Sequence, residues 1–333
     1  MADYKYLMDR IKEMSLPSML YTAKAVRDRS NKSTVATVAD MVKCGIKYSA
    51  GYTDYYNFTF ETKNATERKN IITRGVNNDY VKALNSAELM DCFNDKRQMY
   101  RLYSDFISRN WLDLERSNAH QLRAFLGGDN TAVVRASDSK TEKGSFVLNL
   151  LGIYDYEDLR ERLLRMGLNI VEKCVKQNEE MERLCGNALG IIRVVTVGES
   201  PVFSCLNMRQ GKTFLTAAVD DKTGIVIGSA FDKNNGMYHR HPVTNKRFDG
   251  FRIPLWNEIL SMVSAASRVL TSVNYCGWDI AVLADRAELI DATSFPRHDF
   301  YRVSDNKSLR HRIEREMYSG IKNNQKIIIN KNK

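Results

Sequence analysis

The segment Gly277-Trp-Asp-Ile-Ala-Val-Leu-Ala-Asp-Arg-Ala-Glu-Leu-Ile-Asp-Ala-Thr293 contains the clearest structural pattern of the chain. Two apolar runs, Trp278–Leu283 and Glu288–Thr293, flank a polar turn, which is typical of a β-hairpin. In this hairpin Asp279 should lie across from residues 291–293, and Asp291 and Thr293 should share one strand face. The sequence therefore predicts two carboxylates and a hydroxyl close together at the end of an apolar ribbon.

The predicted pair of carboxylates needs a physical explanation. Cross-strand neighbours lie about 4.5–5.5 Å apart, and two anions at that distance repel unless a cation or a proton lies between them. Magnesium bridged to phosphate is the simplest explanation, because Mg²⁺ prefers one or two carboxylates together with phosphate oxygens. The alternative is that one aspartate faces solvent at the end of the hairpin, and the geometry of a hairpin leaves both open.

Outward from the hairpin, hydrophobic periodicity predicts mainly helices over the first ninety residues, then α/β or α+β organisation. Strands are predicted at Thr131–Arg135, Ser145–Leu151, Asn169–Cys174, Ile191–Val197, Lys212–Val219 and Gly224–Ala230. Helices are predicted at Tyr4–Met14, Val35–Cys44, Lys96–Ser108, Tyr156–Met166 and Trp256–Leu270.

Composition excludes several classes of protein. With 333 residues, 43% of them apolar and 27% charged, the chain is long enough for one large domain or two smaller ones and is not disordered overall. No apolar run approaches the roughly 20 residues that span a bilayer, and the N-terminus lacks a signal-peptide pattern. We therefore expect a cytoplasmic protein without a transmembrane segment. The six cysteines include no C-x-x-C pair, so we expect reduced thiols rather than a structural metal site.

The net charge of +10 indicates an anionic partner: a nucleotide, a nucleic acid, a sugar phosphate or a membrane surface. Seven of the basic residues belong to a C-terminal tail, Arg310–Lys333. A basic nucleic-acid-binding protein is one hypothesis, but the aromatic and basic residues form no recognisable RNA-binding signature.

Three positions suggest how an anion could be bound. Lys96 lies in the first turn of its predicted helix, where a cation is unfavourable to the helix dipole, so it has a reason to bind a phosphate. Arg193 lies within a run of β-branched residues, and a buried arginine needs a paired anion. Arg135 precedes the polar loop Ser137–Gly144, whose backbone could fold over phosphates or form a plain solvated turn.

The order of these motifs resembles the ATP-grasp superfamily. The segments Asp95-Lys96, Val134-Arg135, Val171-Glu172-Lys173, Ile192-Arg193, Gly277-Trp-Asp279 and Leu289-Ile-Asp-Ala-Thr293 follow one another as they do in that superfamily. The stretches His241-Pro242, Ile253-Pro-Leu-Trp256 and Gly277-Trp-Asp279 are most similar to its sugar-transfer-associated branch, which accompanies bacterial surface polysaccharide genes. The resemblance covers roughly residues 40–300, and it implies two α+β subdomains that enclose a nucleotide.

The resemblance also implies roles for individual residues. Magnesium would be held by Asp279, Asp291 and Thr293, where the family pattern is Asp, Glu and Asn. Arg193 would steady the reacting acyl phosphate, and Arg240 and His241 would contact the substrate. The phosphates of ATP would be held by Lys96 and by Arg135, where the family usually has lysine, and Lys140 would also bind the nucleotide. The adenine would contact Glu172, Lys173 and the main chain that follows, and the ribose would contact Gln177 or Glu179.

The implied organisation is a helical N-terminal region (1–92), a smaller ATP-grasp subdomain (93–175), a larger one with the metal-binding hairpin (176–312), and a basic tail (313–333). The implied function is an ATP- and magnesium-dependent carboxylate–amine ligase that acts through an acyl phosphate on a sugar or amino-sugar precursor of a cell-surface polysaccharide. Because positions 135, 291 and 293 depart from the family pattern, the alternative is a homologue that only binds nucleotide or glycan.

Overall fold

The computed structural model describes residues 15–138, 144–211 and 213–331, and it has the α+β architecture expected from the sequence. A helical N-terminal region precedes two antiparallel sheets. In these three ranges no helix combines the length and hydrophobicity that a membrane crossing requires. The predicted helix Tyr4–Met14 and the predicted nucleotide ligand Lys140 lie outside the described residues.

Short capped helices form the N-terminal region. Ser15, Ser33 and Thr73 each accept a hydrogen bond from a backbone N–H of the first turn, which satisfies donors that the helix itself cannot. The tyrosine- and phenylalanine-rich stretch after Tyr48 folds as a helical turn whose Tyr55 and Phe60 rings are fully buried. The helices are Leu16–Arg29, Thr34–Tyr48, Tyr52–Asn57, Ala65–Asn70, Arg74–Leu84 and Ala87–Met90.

The smaller sheet has four strands in the order β1-β4-β2-β3. They are β1 (Trp111–Asp113), β2 (Thr131–Arg135), β3 (Ser145–Asn149) and β4 (Ile170–Lys173). Helices Ala119–Leu126 and Tyr156–Arg165 bury Leu122, Leu126, Leu159 and Leu163 in the same apolar cluster as the strands.

The larger sheet has seven antiparallel strands in the order β11-β10-β5-β6-β7-β8-β9. They are β5 (Ile191–Val197), β6 (Ser200–Gln210), β7 (Thr213–Val219), β8 (Val226–Phe231), β9 (Met237–Tyr238), β10 (Tyr275–Val282) and β11 (Ala287–Thr293). Helix Trp256–Ser267 packs against this sheet through Trp256, Ile259 and Val263. The α-helix that precedes it in the chain is short and spans Glu179–Cys185.

The hairpin predicted from the sequence is formed by β10 and β11. Asp279 is paired with Asp291, and Gly277 with Thr293. The N–H of Leu283 donates to the carbonyl of Arg286 at 2.8 Å and closes the turn where it was expected. The register shifts by one residue after Asp279, so a β-bulge lies beside the acidic pair.

Other elements differ from the expectation in extent. The helix that begins at Lys96 ends at Leu102, and a 3₁₀ turn, Ser104–Phe106, follows, because serine and aspartate favour turns over helix interiors. Strands β1 and β6 were not predicted. The long strand β6 begins with Ser200-Pro201, a pair of residues that obscures a strand pattern.

The last helix, Asn306–Lys331, joins the end of the chain to the N-terminal region. Leu309 and Ile313 are buried in the cluster that holds the N-terminal helices together. The hydroxyl of Tyr80 donates to Glu314 at 3.0 Å, and Arg310 donates to the carbonyl of Lys69 at 2.6 Å. The helix therefore continues through residue 313, where the sequence had predicted the boundary between the larger subdomain and the basic tail. The other predicted domain boundaries stay predictions.

Candidate active site

A cavity of about 630 Å³ lies between the smaller sheet, the hairpin and the N-terminal region; we name it the basic cavity. The polar residues that line it come from both sheets and from the segments next to them, and they include most of the residues expected to bind phosphate and metal. They are Asp91, Asn94, Lys96, Arg135, Asp138, Ser145, Arg193, Asp291, Thr293, Ser294 and Arg297.

Lys96 reaches the cavity from the start of its helix. Asp95 caps this helix by accepting from the N–H of Arg97, and the N–H of Lys96 itself donates to the carbonyl of Ser137. The Nζ atom of Lys96 lies 2.7 and 2.6 Å from the two carboxylate oxygens of Asp291. The helix start thus places a lysine against the hairpin, where an anion compensates its unfavourable position at the helix dipole.

Arg193 approaches from β5, where its register partner on β10 is Asp279. Its Nε and a terminal nitrogen donate to the two carboxylate oxygens at 2.7 and 2.5 Å, a bidentate geometry. Burial alone would lower the pKa of Arg193, but the Asp279 charge outweighs burial and raises that pKa. The ring of Phe300 lies 5.0 Å from the guanidinium carbon. Arg193 is therefore a fixed cation at the floor of the basic cavity.

Asp291 is one of three acidic residues that line the cavity, and 31% of its side chain is accessible. Burial would raise its pKa, but Lys96 and then Arg135 favour the charged form, and the net pKa lies below its usual value. Asp291 is therefore ionised at neutral pH. Thr293, also in the cavity, uses its hydroxyl locally: the hydroxyl accepts from the N–H of Phe295 at 3.1 Å.

These residues fit a magnesium site that is completed by phosphate. Among the residues in the described ranges, no group of three or more His, Cys, Asp or Glu side chains could enclose a metal ion. Asp279 and Asp291 are nevertheless register partners on one ribbon, and Mg²⁺ needs only one or two carboxylates when phosphate supplies other oxygens. Each carboxylate is presently neutralised by a cation that could also bind phosphate, Arg193 and Lys96 respectively.

A second cavity, of about 380 Å³, lies where the two sheets meet; we name it the hinge cavity. It is lined by residues 108–110, by the last residue of β4 and the three that follow it (173–176), by residues 283–286 of the hairpin turn, and by Glu288. Lys173 lines it as the resemblance implied, and its Nζ is held by Asp129. The main chain of an irregular segment therefore faces a cleft between sheets.

Glu172, expected at the adenine, points away from the hinge cavity into a sealed network. Its carboxylate accepts from Tyr100 at 2.5 Å, lies 2.9 Å from Nε of Arg109 and lies 2.8 Å from Nε of Arg135. Arg109 also donates to Glu288 of β11 at 3.0 Å. The side chains of Arg109, Glu172 and Glu288 are at most 3% exposed. Glu172 thus joins the smaller sheet to the hairpin, and its contact with nucleotide stays a prediction.

Sequence reasoning missed Arg109 and Arg297. The partners of Arg109 are 63 and 179 residues away, so no local pattern indicates them. Arg297 follows Pro296 directly after β11, a position that could have been noticed because residues at strand ends often line sites. Its guanidinium pairs with Asp299 at 2.6 Å at the rim of the basic cavity.

Asp279 lines neither cavity, and its carboxylate is paired with Arg193, which lines the basic cavity. Four other predicted residues also line neither cavity. Gln177 donates its amide to the carbonyls of Gly186 and Ala188, and Glu179 is an exposed partner of Arg183. The expected ribose contacts are therefore not brought to the hinge cavity by these side chains.

The other two are the expected substrate residues, which lie in the turn around residues 240–247. Arg240 donates to the carbonyl of Asn245 at 2.9 Å. His241 is buried, and its Nδ1 accepts from the N–H groups of Val243 and Thr244 at 3.3 and 3.1 Å. His241 therefore organises this turn, and substrate contact by either residue stays a prediction.

The chain is partly similar to several solved structures. The chain resembles the ATP-grasp ligase PsnB in complex with a minimal precursor at 11% identity and a TM-score of 0.45, over 70% of this chain and 64% of that one. It resembles the D-alanine–D-alanine ligase from Bacillus anthracis at 12% identity and a TM-score of 0.44, over 75% of this chain and 77% of that one. It resembles the D-cycloserine synthetase DcsG at 14% identity and a TM-score of 0.42, over 80% of this chain and 82% of that one.

The alignment with PsnB thus spans less than two thirds of that chain. No curated protein matches by sequence. Residues 150–316, half of the chain, match the family described as sugar-transfer associated ATP-grasp, and these residues contain Arg193, Asp279 and the whole hairpin. The chain belongs to the sugar-transfer associated ATP-grasp family.

Proposed function

We propose that this protein is an ATP-dependent carboxylate–amine ligase that forms an acyl phosphate in the basic cavity. The observation that carries the proposal is the convergence of Lys96, Arg135 and Arg193, from three separate elements, on one cavity beside the ionised Asp291. Such a constellation neutralises and aligns several phosphate and carboxylate oxygens at once.

ATP would bind across both cavities. The adenine would enter the hinge cavity, where the main chain of residues 173–176 offers hydrogen-bonding groups along an irregular segment. The phosphates would extend into the basic cavity toward Lys96 and Arg135. This orientation places the γ-phosphate beside Arg193 and the hairpin.

Asp279 and Asp291 would hold Mg²⁺, with Thr293 close by on the same strand. When bound, the ion would neutralise charge on the transferring phosphoryl group. Lys96 and Arg193 would then exchange a carboxylate partner for phosphate oxygens. Because ATP brings its own negative charge, this exchange leaves neither cation without a partner.

The chemistry needs positioning more than covalent catalysis. A substrate carboxylate attacks the γ-phosphorus, ADP leaves, and an amine then displaces phosphate from the acyl phosphate. Arg193, which Asp279 holds in position until ATP binds, would stabilise the charge on the carboxylate and the transferring group. No Ser or Cys nucleophile is required.

The family description, sugar-transfer associated, supports a sugar or amino-sugar precursor of a bacterial cell-surface polysaccharide as the acceptor. Consumption of ATP supports a cytoplasmic location. The division into four regions, with boundaries at 92, 175 and 312, remains a proposal. In this division the N-terminal region contributes Ala87, Met90 and Asp91 to one wall of the basic cavity.

The test is magnesium-dependent ADP release with pooled carboxylates and pooled amines. We expect release that requires both pools and Mg²⁺. Absence of nucleotide binding at millimolar ATP would end the proposal.

A second candidate is a homologue that binds nucleotide without catalysis. It is favoured by one observation: both hairpin carboxylates already have cationic partners in the structure. Calorimetry separates the two candidates. ATP binding that is indifferent to magnesium and unchanged in Asp279→Asn would support the second.

A further inference from the structure

The N-terminal helices carry an apolar surface that the described fold leaves uncovered. Three large side chains of helix Thr34–Tyr48 are exposed to solvent: Val35 by 80%, Val42 by 40% and Ile46 by 56%. They lie on the opposite side of the helix from Met41 and Cys44, which are buried in the core. Within the described residues, Val38 on this side is half-buried and packs against the core, whereas Val35, Val42 and Ile46 do not.

The exposed residues form a continuous stripe rather than scattered positions. Positions 35, 38, 39, 42 and 46 fall within an arc of about 100° on a helical wheel and extend about 16 Å along the axis. All five are valine, alanine or isoleucine. We name Val35, Val38, Ala39, Val42 and Ile46 the apolar stripe. The preceding helix also exposes Leu16, Leu20 and Tyr21.

The charges around the apolar stripe are strongly asymmetric. Lys24, Lys43 and Lys47 are exposed, and none has a carboxylate partner in the described part of the chain. The acidic residues of these two helices are already neutralised. Asp28 pairs with Arg27, whereas Asp40 turns inward.

Asp40 is bound by two groups of the protein interior. The hydroxyl of Tyr55 donates to it at 2.8 Å, and the guanidinium of Arg68 donates at 2.7 Å. Its negative charge therefore does not offset the lysines outside. The outer surface of the two helices presents apolar groups together with unpaired positive charge.

We propose that the apolar stripe and its lysines bind peripherally to the surface of an anionic phospholipid bilayer. An apolar helix face lies at the boundary of headgroups and acyl chains, and lysines beside it are attracted to anionic headgroups. A second copy of the chain fits less well, because it would bring the same lysines toward one another. The lipid-binding surface is separate from the ATP site: none of its residues lines the basic cavity or the hinge cavity.

The experiment is flotation of the full chain with phosphatidylcholine vesicles that contain about 30% phosphatidylglycerol, compared with pure phosphatidylcholine. We expect binding to the anionic vesicles that weakens at high salt. Val35→Asp/Ile46→Asp should lower the partition coefficient at least about tenfold, because it places charge in the apolar boundary. Lys43→Gln/Lys47→Gln should lower it about 30-fold.

Matched controls lie elsewhere on the surface. Ile227→Asp replaces an equally exposed apolar residue, and Lys233→Gln/Lys246→Gln removes the same charge; both should bind vesicles as the parent chain does. ATP binding is measured on every variant and should not change, so failure of this proposal and failure of the ligase proposal are distinguishable.

Three results would overturn the proposal. The first is that the parent chain, at low salt, binds the anionic vesicles no better than the pure phosphatidylcholine vesicles. The second is an oligomer, seen by light scattering, that Val35→Asp/Ile46→Asp dissociates, since the stripe would then be a subunit interface. The third is vesicle binding that appears only after removal of residues 1–14, since that segment would then be the occupant of the stripe.

Discussion

The sealed network and the basic cavity both contain ion pairs between a basic side chain and a carboxylate. The pairs differ in how much of the charged side chains is exposed. In the network, Arg109 is enclosed with Glu172 and Glu288, and no partner is more than 3% exposed. In the cavity, Lys96 is paired with Asp291, whose side chain is 31% exposed. Arg109 and Glu288 border the hinge cavity, but almost none of their side-chain surface is exposed there, whereas Asp291 is open to a ligand that could take its place beside Lys96. Exposure of the charged groups to a cavity, rather than the pair itself, indicates function.

The largest effect should come from breaking the sealed network. Arg109→Met leaves the buried Glu288 without a cation and Glu172 with Arg135 alone, and we expect the free energy of unfolding to fall by about 3–5 kcal/mol in urea denaturation. Arg165→Met is the matched control, because Arg165 and its partner Glu161 are both exposed, and it should cost less than about 1 kcal/mol. Equal losses in the two variants would contradict the distinction.

The next effect concerns the cavity cation Arg193. Arg193→Lys keeps the charge but loses the bidentate fork, so ADP release should fall about 100-fold while the free energy of unfolding changes much less than in Arg109→Met. Arg247→Lys alters an exposed pair with Asp249 and should leave ADP release unchanged. If Arg193→Lys lowered the free energy of unfolding without lowering the rate of ADP release, Arg193 would contribute to stability, as Arg109 does, rather than to the reaction.

A smaller effect is expected at Asp291. Asp291→Asn removes the ionised group of the cavity, and the magnesium concentration for half-maximal ATP binding should rise about tenfold. Because the folded pKa of Asp291 is lowered below the usual 3.8, the parent protein should bind magnesium equally between about pH 5 and 8. Calorimetry across that range tests this. A titration within it would contradict the assignment.

The smallest effect is expected at His241, a buried group that, unlike the ion pairs above, carries no charge in the folded protein. Burial lowers the pKa of His241 below 6.5, so at acid pH the unfolded chain binds a proton that the folded chain excludes. Its contribution to stability is therefore present above pH 6.5 and is lost as the pH falls below it. Urea denaturation at about pH 7.5 and 5.5 should show a smaller pH dependence in His241→Asn than in the parent. The exposed His120→Asn should not differ from the parent.

The hairpin shows how far local patterns reach. Apolar runs and a polar turn were enough to predict the pairing of Asp279 with Asp291, because both strands are contiguous in the chain. Strands Thr131–Arg135 and Ile191–Val197 were predicted to the residue, since most of their residues are β-branched.

What local patterns cannot indicate is the identity of distant partners. The sequence suggested that Lys96 and Arg193 need anions, and the fold supplies Asp291 and Asp279 from the same hairpin. Glu172 was expected at the adenine because it ends a strand, but Arg109 and Arg135 surround it. Three-dimensional packing decides which face of a short strand is enclosed, and β4 has only four residues.

The attachment of helix Asn306–Lys331 to the first helices has a consequence for biogenesis. Glu314 meets Tyr80, a contact between residues 234 positions apart, and Ile313 completes the same apolar cluster. While the ribosome is still translating the middle of the chain, the N-terminal helices lack part of their core. Contacts of such long sequence separation are formed late and slowly. Maturation of the amino-terminal third should therefore be post-translational, and nascent chains halted before residue 309 should remain sensitive to protease there.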